Sequence, residues 1–163
     1  MQGRGTKRFW VPADTSQLRD VLREAERLLA CADCCERIDL SLQICAALEN
    51  LGAYLETADY AATGVQACEE LGIADERYAA LLRGLGRGLY YRQLYDKAAL
   101  VYTKLHEWTV ENDNPRERVM ALYSIACCKD KAGHSHWEEA AELYDTVFHS
   151  EAADWPHRLA ATV

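Results

Sequence analysis

A spelling that returns along the chain limits the fold more than any other feature of the sequence. It is clearest at Leu82-x-x-Leu85-Gly86-x-x-Leu89, followed by Tyr95-x-x-Ala98-x-x-x-Tyr102. Leucines at i, i+3 and i+7 stand on one face of a helix, and Gly86 marks a point where another helix can approach. The second group builds a following helix, with Ala98 as the small residue at the crossing. Arg92 to Leu94 leaves room only for a tight connection, so the two segments read as an antiparallel helical hairpin. Upstream, Leu48-x-x-Leu51-Gly52-x-x-Leu55 repeats the first half about 34 residues earlier, and Tyr60, Thr63 and Ala67 begin its partner. Downstream, Leu122-x-x-Ile125-Ala126-x-x-Lys129 leads through Gly133 to Trp137-x-x-Ala140-x-x-x-Tyr144, about 40 residues after the middle unit.

The expected layout follows from this period. Helices are placed near 15–32, 36–57, 59–71, 75–92, 95–111, 115–132 and 137–151, and Pro156 opens an eighth, proline being favourable in a first turn. The earliest, with Leu22, Ala25, Leu29 and Ala32, matches only the second helix of a unit; Asp14, Thr15 and Ser16 are its candidate N-caps. Residues 1–14 are expected to be a flexible basic and aromatic segment, in which Phe9 and Trp10 cover the apolar edge of the first helix or, as the alternative, dock on a partner or an anionic surface. Residues 15–163 are expected to form one helical repeat domain. The eighth helix runs out after about two turns, where a stack of this kind needs a polar capping helix, so the sequence reads as a fragment of a longer protein.

Composition narrows the function. The 163 residues carry a formal net charge of −8, which disfavours nucleic acid as a ligand because phosphate binding needs a basic footprint. No apolar run approaches the roughly 18 residues that span a bilayer, and Met1 to Pro12 lacks the apolar stretch of a secretory signal. The seven cysteines are an odd count and are expected to be reduced thiols in the cytoplasm; association with the cytoskeleton is left open.

With its order of large, small and aromatic positions, the sequence resembles the tetratricopeptide repeat superfamily over roughly residues 18–150. The middle unit matches well, whereas the first has Thr63 where alanine is usual. The longer last interval and the Leu71-Gly72-Ile73-Ala74-Asp75-Glu76-Arg77 connection are similar to the variety with repeats of roughly 40 residues found in LGN, rapsyn and kinesin light chain. The resemblance implies an all-α superhelix of seven to eight antiparallel helices, about three and a half repeats.

In such repeats the first helix of each hairpin lines a concave groove that holds a partner. Carried onto the middle unit, the contact positions are Arg83, Arg87 and Tyr90, which also fall at i, i+4 and i+7 on the flank away from Leu82, Leu85 and Leu89. Two guanidinium groups and a phenol can grip a carboxylate; the plainer reading is a solvated face salted by Glu49 or Glu56. The matching positions are Glu49, Ala53 and Glu56 in the first unit and Tyr123, Cys127 and Asp130 in the last. The asparagine expected in a chaperone-tail clamp is absent. The implied function is therefore a scaffold or adaptor that binds a peptide or helical segment of mixed charge. The alternative is a structural subunit that self-associates, or joins an obligate partner, through its open edge.

Catalysis finds little footing. Gly84, Gly86 and Gly88 alternate inside a helix instead of forming a phosphate-binding loop after a strand. Cys31, Cys34 and Cys35 cluster near a helix end and Cys127 adjoins Cys128, but no second ligand pair completes a zinc site. Packing is the expected role of these thiols, with a metal or redox site as the less favoured reading. The chain is expected to be no enzyme and to need no cofactor or metal.

Overall fold

The computed structural model describes residues 15–31 and 33–152. These residues form seven α-helices and one 3-10 turn, and no strand. The helices are α1 (Thr15–Cys31), α2 (Cys34–Asn50), α3 (Tyr54–Leu71), α4 (Glu76–Tyr91), α5 (Tyr95–Glu111), α6 (Pro115–Ala132) and α7 (Trp137–His149), with the 3-10 turn at His134–His136 before α7. The expected eighth helix, the contact of Phe9 and Trp10, and the cap at Asp14 all lie outside the described residues.

Local chemistry explains where the helices begin. Asp33 accepts a hydrogen bond from the Glu36 amide at 2.9 Å, Asp75 from the Arg77 amide at 2.9 Å, and Asn114 from the Glu117 amide at 3.1 Å. Each satisfies one of the four amides that a helix start leaves without a partner. Pro115, which has no amide hydrogen to place, follows Asn114 in the first turn of α6.

Four helices end in one shared motif. After α2, α3, α4 and α5 the chain turns through a left-handed residue: Gly52 at φ 72°, Gly72 at 67°, Gln93 at 61° and Asp113 at 46°. In each case the next residue's amide reaches back to close the turn, as Ala53 does to Leu48, Ile73 to Cys68, Leu94 to Leu89 and Asn114 to Thr109. Glycine occupies two of these sites, and side chains strain the others. Gln93→Gly is therefore expected to raise the unfolding free energy by roughly 0.5–1 kcal/mol, read as a higher urea midpoint at unchanged slope.

The turn at Gly52 corrects the sequence layout. The helix expected over 36–57 stops at Asn50, and α3 begins at Tyr54 instead of residue 59. Gly52 is thus not the crossing residue that Gly86 is. The Gly52 turn, the Gln93 turn and Gly133 stand about 40 residues apart, so the intervals are more even than the leucine-glycine spelling suggested.

Each helix packs mainly on the ones before and after it in the chain, and α2 also meets α4. The main core runs from Ile38 through Val65, Leu81, Leu82, Tyr102, Leu105 and Trp108 to Ile125 and Cys128. A smaller group joins α1 to α2 around Ala25, Ile44 and Leu48, and another joins α6 to α7 at Val119 and Val147. Ala98 is fully buried, as its crossing position requires. Arg92 fastens the α4–α5 turn to α3, donating to the Leu55 carbonyl at 2.7 Å and to Asp59 at 2.7 and 2.6 Å. That guanidinium holds the Asp59 carboxyl below the usual carboxylate range.

Candidate functional site

The sequence placed its candidate contacts on α2, α4 and α6, and the structure brings most of them onto adjoining parts of those helices. On α4, Arg83 and Arg87 lie one turn apart and point to different neighbours. Arg83 donates to both carboxylate oxygens of Glu117 on α6, at 2.8 and 2.9 Å. Arg87 pairs with Glu49 on α2 at 3.2 Å and lies 5.7 Å above the ring of Tyr54. The two arginines therefore bridge three helices. Their side chains are about two-fifths exposed, at 42% for Arg83 and 39% for Arg87, so neither is a free cation and neither is sealed away. Exposed pairs of this kind contribute about 0.2–1 kcal/mol each, little enough for an incoming carboxylate to compete.

Concavities flank this row. A cleft of about 190 Å³ between α2 and α4 is lined by Leu42, Ala46, Glu49, Arg83 and Arg87. A larger one of about 430 Å³ lies where Arg83 meets Asn114, Arg116, Glu117 and Met120 at the start of α6. Arg83 borders both. Charge along the row runs from negative at Glu49, through the two adjacent cations Arg87 and Arg83, to negative at Glu117.

The aromatic candidates are less open. Tyr90 is half-buried against the main core, with its ring edge-on to Tyr91 and Tyr95 at 5.9 and 5.4 Å. Burial pushes its phenol up to about 12. Tyr123 is half-buried too, 5.9 Å from the ring of Tyr144 and raised to about 12, first by burial and then by nearby Cys127. The Tyr144 hydroxyl donates to the Cys127 sulfur at 3.5 Å. These phenols stay neutral at physiological pH and offer hydrogen bonds and ring faces instead of charge. Asp130 is exposed near the end of α6.

Two expected positions fall elsewhere. Ala53 lies in the turn before α3, and Glu56 sits in the first turn of α3, where its charge acts on Arg92. The α2 residues that line the cleft with Arg83 and Arg87 are Leu42, Cys45, Ala46 and Glu49. Only Glu49 was found from sequence, and Glu117 was missed. Counting from the turns would have found Leu42 and Ala46, because Gly52-Ala53-Tyr54 corresponds to Gln93-Leu94-Tyr95.

Four thiols, those of Cys34, Cys45, Cys68 and Cys128, are held in the protonated form. Burial pushes Cys45 and Cys128 up to about 12 and raises Cys68, the reverse of the shift that activates a cysteine. Cys34 is raised first by its hydrogen bond to Glu70, at 3.4 Å. The Cys31 side chain lies outside the described residues. Among the described residues, no group of three His, Cys, Asp or Glu side chains can hold a metal ion, and no helix is long and apolar enough to cross a membrane. Comparison with protein-family models, with curated proteins and with solved structures finds no match to this chain.

Proposed function

We propose that this chain is a non-catalytic binding module, a tetratricopeptide-like superhelix whose leading helices α2, α4 and α6 present a shared concave groove to a segment of a partner protein. The observation that carries this reading is the pair of bridges from α4, Arg87 to Glu49 on α2 and Arg83 to Glu117 on α6. Leading helices linked side by side fit hairpins stacked in register. The trailing helices agree with the same stacking, since Lys104 on α5 pairs with Glu69 on α3 at 3.0 Å. Turns spaced about 40 residues apart favour the longer repeat variety.

A row with two cations between two carboxylates suits a partner of mixed charge, which exchanges its own carboxylates and cations for Glu49, Glu117, Arg83 and Arg87. Such an exchange discriminates more than it strengthens, because each new pair replaces one already made. Arginine is also the charged residue most often found at the centre of binding hot spots. A cytoplasmic setting fits reduced, buried thiols.

The test is recovery of native partners from cells by the full chain and by its Arg83→Glu/Arg87→Glu variant, quantified by mass spectrometry. The variant is expected to keep its helical circular dichroism and to lose less than about 2 kcal/mol of stability, the sum of two exposed pairs. Recovery of groove-bound partners should fall by about tenfold or more, equivalent to 1.4 kcal/mol. Equal recovery by both proteins rejects the groove. A concentration-dependent doubling of mass with no other partner favours the self-associating subunit instead.

A further inference from the structure

On a different part of the molecule, α5 and the α6–α7 junction border a cleft that uses none of the groove residues. Its two adjoining parts, of about 270 and 390 Å³, share Tyr95, Asp96 and Ala132. The apolar portion is formed by Tyr95, Ala99, Leu100, Cys128, Ala132 and His136. Leu100 is 69% exposed and Leu94, on the adjoining rim, is 41% exposed. A single exposed leucine is ordinary, but two bordering one apolar cleft form a surface that gains by being covered.

The charge around it sets the partner. Lys97 and Lys131 stand on the rim, both exposed and with no carboxylate bound to them among the described residues. Lys129, also at the cleft, is tied to Glu139 on α7. Asp96 is the carboxylate on this rim. The local charge is thus positive on a chain whose formal net charge is −8. An acidic partner is repelled by most of the surface and drawn to this place, whereas a basic one is drawn nearly everywhere else.

We propose that this cleft is a second protein-binding surface, which takes a short acidic segment of another protein and seats one large apolar side chain between Leu94 and Leu100. The carboxylates of that segment lie against Lys97 and Lys131, and its apolar anchor covers Ala99 and Ala132. Anchor and charges on one short segment match the way grooves beside helices recognise peptides.

Random peptides displayed on phage and selected on the immobilised full chain test this. The enriched set is expected to carry Leu, Phe or Trp flanked by Asp or Glu. A synthetic peptide of that consensus should bind about tenfold more weakly to Leu100→Glu and to Lys97→Glu/Lys131→Glu, and with unchanged affinity to Arg83→Glu/Arg87→Glu. All three sites are exposed at the surface, and circular dichroism confirms that each variant folds. Enrichment of basic peptides, no enrichment, or binding indifferent to both cleft variants overturns the proposal. A mass doubling on sedimentation that Leu100→Glu abolishes also overturns it, by assigning the cleft to a second copy of the chain.

Discussion

Trp108→Ala is expected to lower the unfolding free energy by about 3–5 kcal/mol, a large part of the 5–15 kcal/mol that holds most domains folded. Trp108 is 4% exposed and belongs to the main core. Its indole Nε1 also donates to the carbonyl of Ala74 at 2.7 Å. Ala74 lies in the connection between α3 and α4, so a side chain on α5 fastens the link between two preceding helices. Removing it leaves a cavity and deprives the carbonyl of its donor, and the two losses act together. Trp108→Phe separates them: most of the packing survives, and the unsatisfied carbonyl costs about 1–3 kcal/mol. Urea unfolding gives both values, and hydrogen exchange should show extra opening of α4 and α5. A cost below about 1 kcal/mol for the alanine variant would mean that α5 does not hold this connection.

Part of the fold was legible in sequence and part was not, for reasons that particular residues make plain. The middle hairpin was readable because its leucines, Ala98 and Tyr102 fall at one helical spacing and end against short connections; expected bounds of 75–92 and 95–111 compare with Glu76–Tyr91 and Tyr95–Glu111. The first hairpin misled because a leucine-glycine pair can mean two things. At Gly86 the missing side chain lets the Tyr102 ring approach, with ring atoms 2.7 Å from where a Cβ would sit. At Gly52 the glycine supplies a left-handed backbone that ends the helix. Composition alone does not separate a close approach from a positive φ. The separating signal lay downstream, in Tyr54 and Tyr95 each opening a trailing helix. Gln93 hid it, because a glutamine does not announce the turn it makes.

The candidate groove was legible to the same degree. Periodicity placed Arg83 and Arg87 on the flank of α4 away from Leu82. What it lacked was the third dimension. Glu117 is 34 residues from Arg83, and no rule of helical spacing links them; only the folded chain brings the start of α6 to Arg83. Sequence left two readings of these arginines, a grip on a carboxylate or a face salted by Glu49 or Glu56; the structure has both paired, Arg87 with Glu49 and Arg83 with Glu117. Lysines with no carboxylate bound to them among the described residues occur at the α5 cleft, where Lys97 and Lys131 belong to no repeated position that was read from sequence.

Gly88→Ala and Gly84→Ala should move stability in opposite directions, though the residues stand one turn apart on the same helix. A Cβ at Gly88 would lie 2.7 Å from the backbone nitrogen and the Cβ of Ala58, and 2.9 Å from its Cα. Backbone on α3 cannot turn aside as a flexible side chain can, so the helices must separate and every contact along their crossing loosens. The expected cost is about 3 kcal/mol, the upper part of the range for overpacked cores. At Gly84 the nearest atoms are Thr57 Cγ2 at 3.6 Å and Ala61 Cβ at 3.7 Å, ordinary contact distances. Alanine fits there and adds up to about 1 kcal/mol by its better helix propensity. At Gly86 the nearest atoms belong to the ring of Tyr102, a side chain and not backbone, so Gly86→Ala should fall between them. Thermal and urea unfolding of the three variants rank the sites directly. Equal melting of Gly84→Ala and Gly88→Ala would mean that α3 and α4 do not cross at Ala58, and the packing of α4 on α3 would have to be placed again.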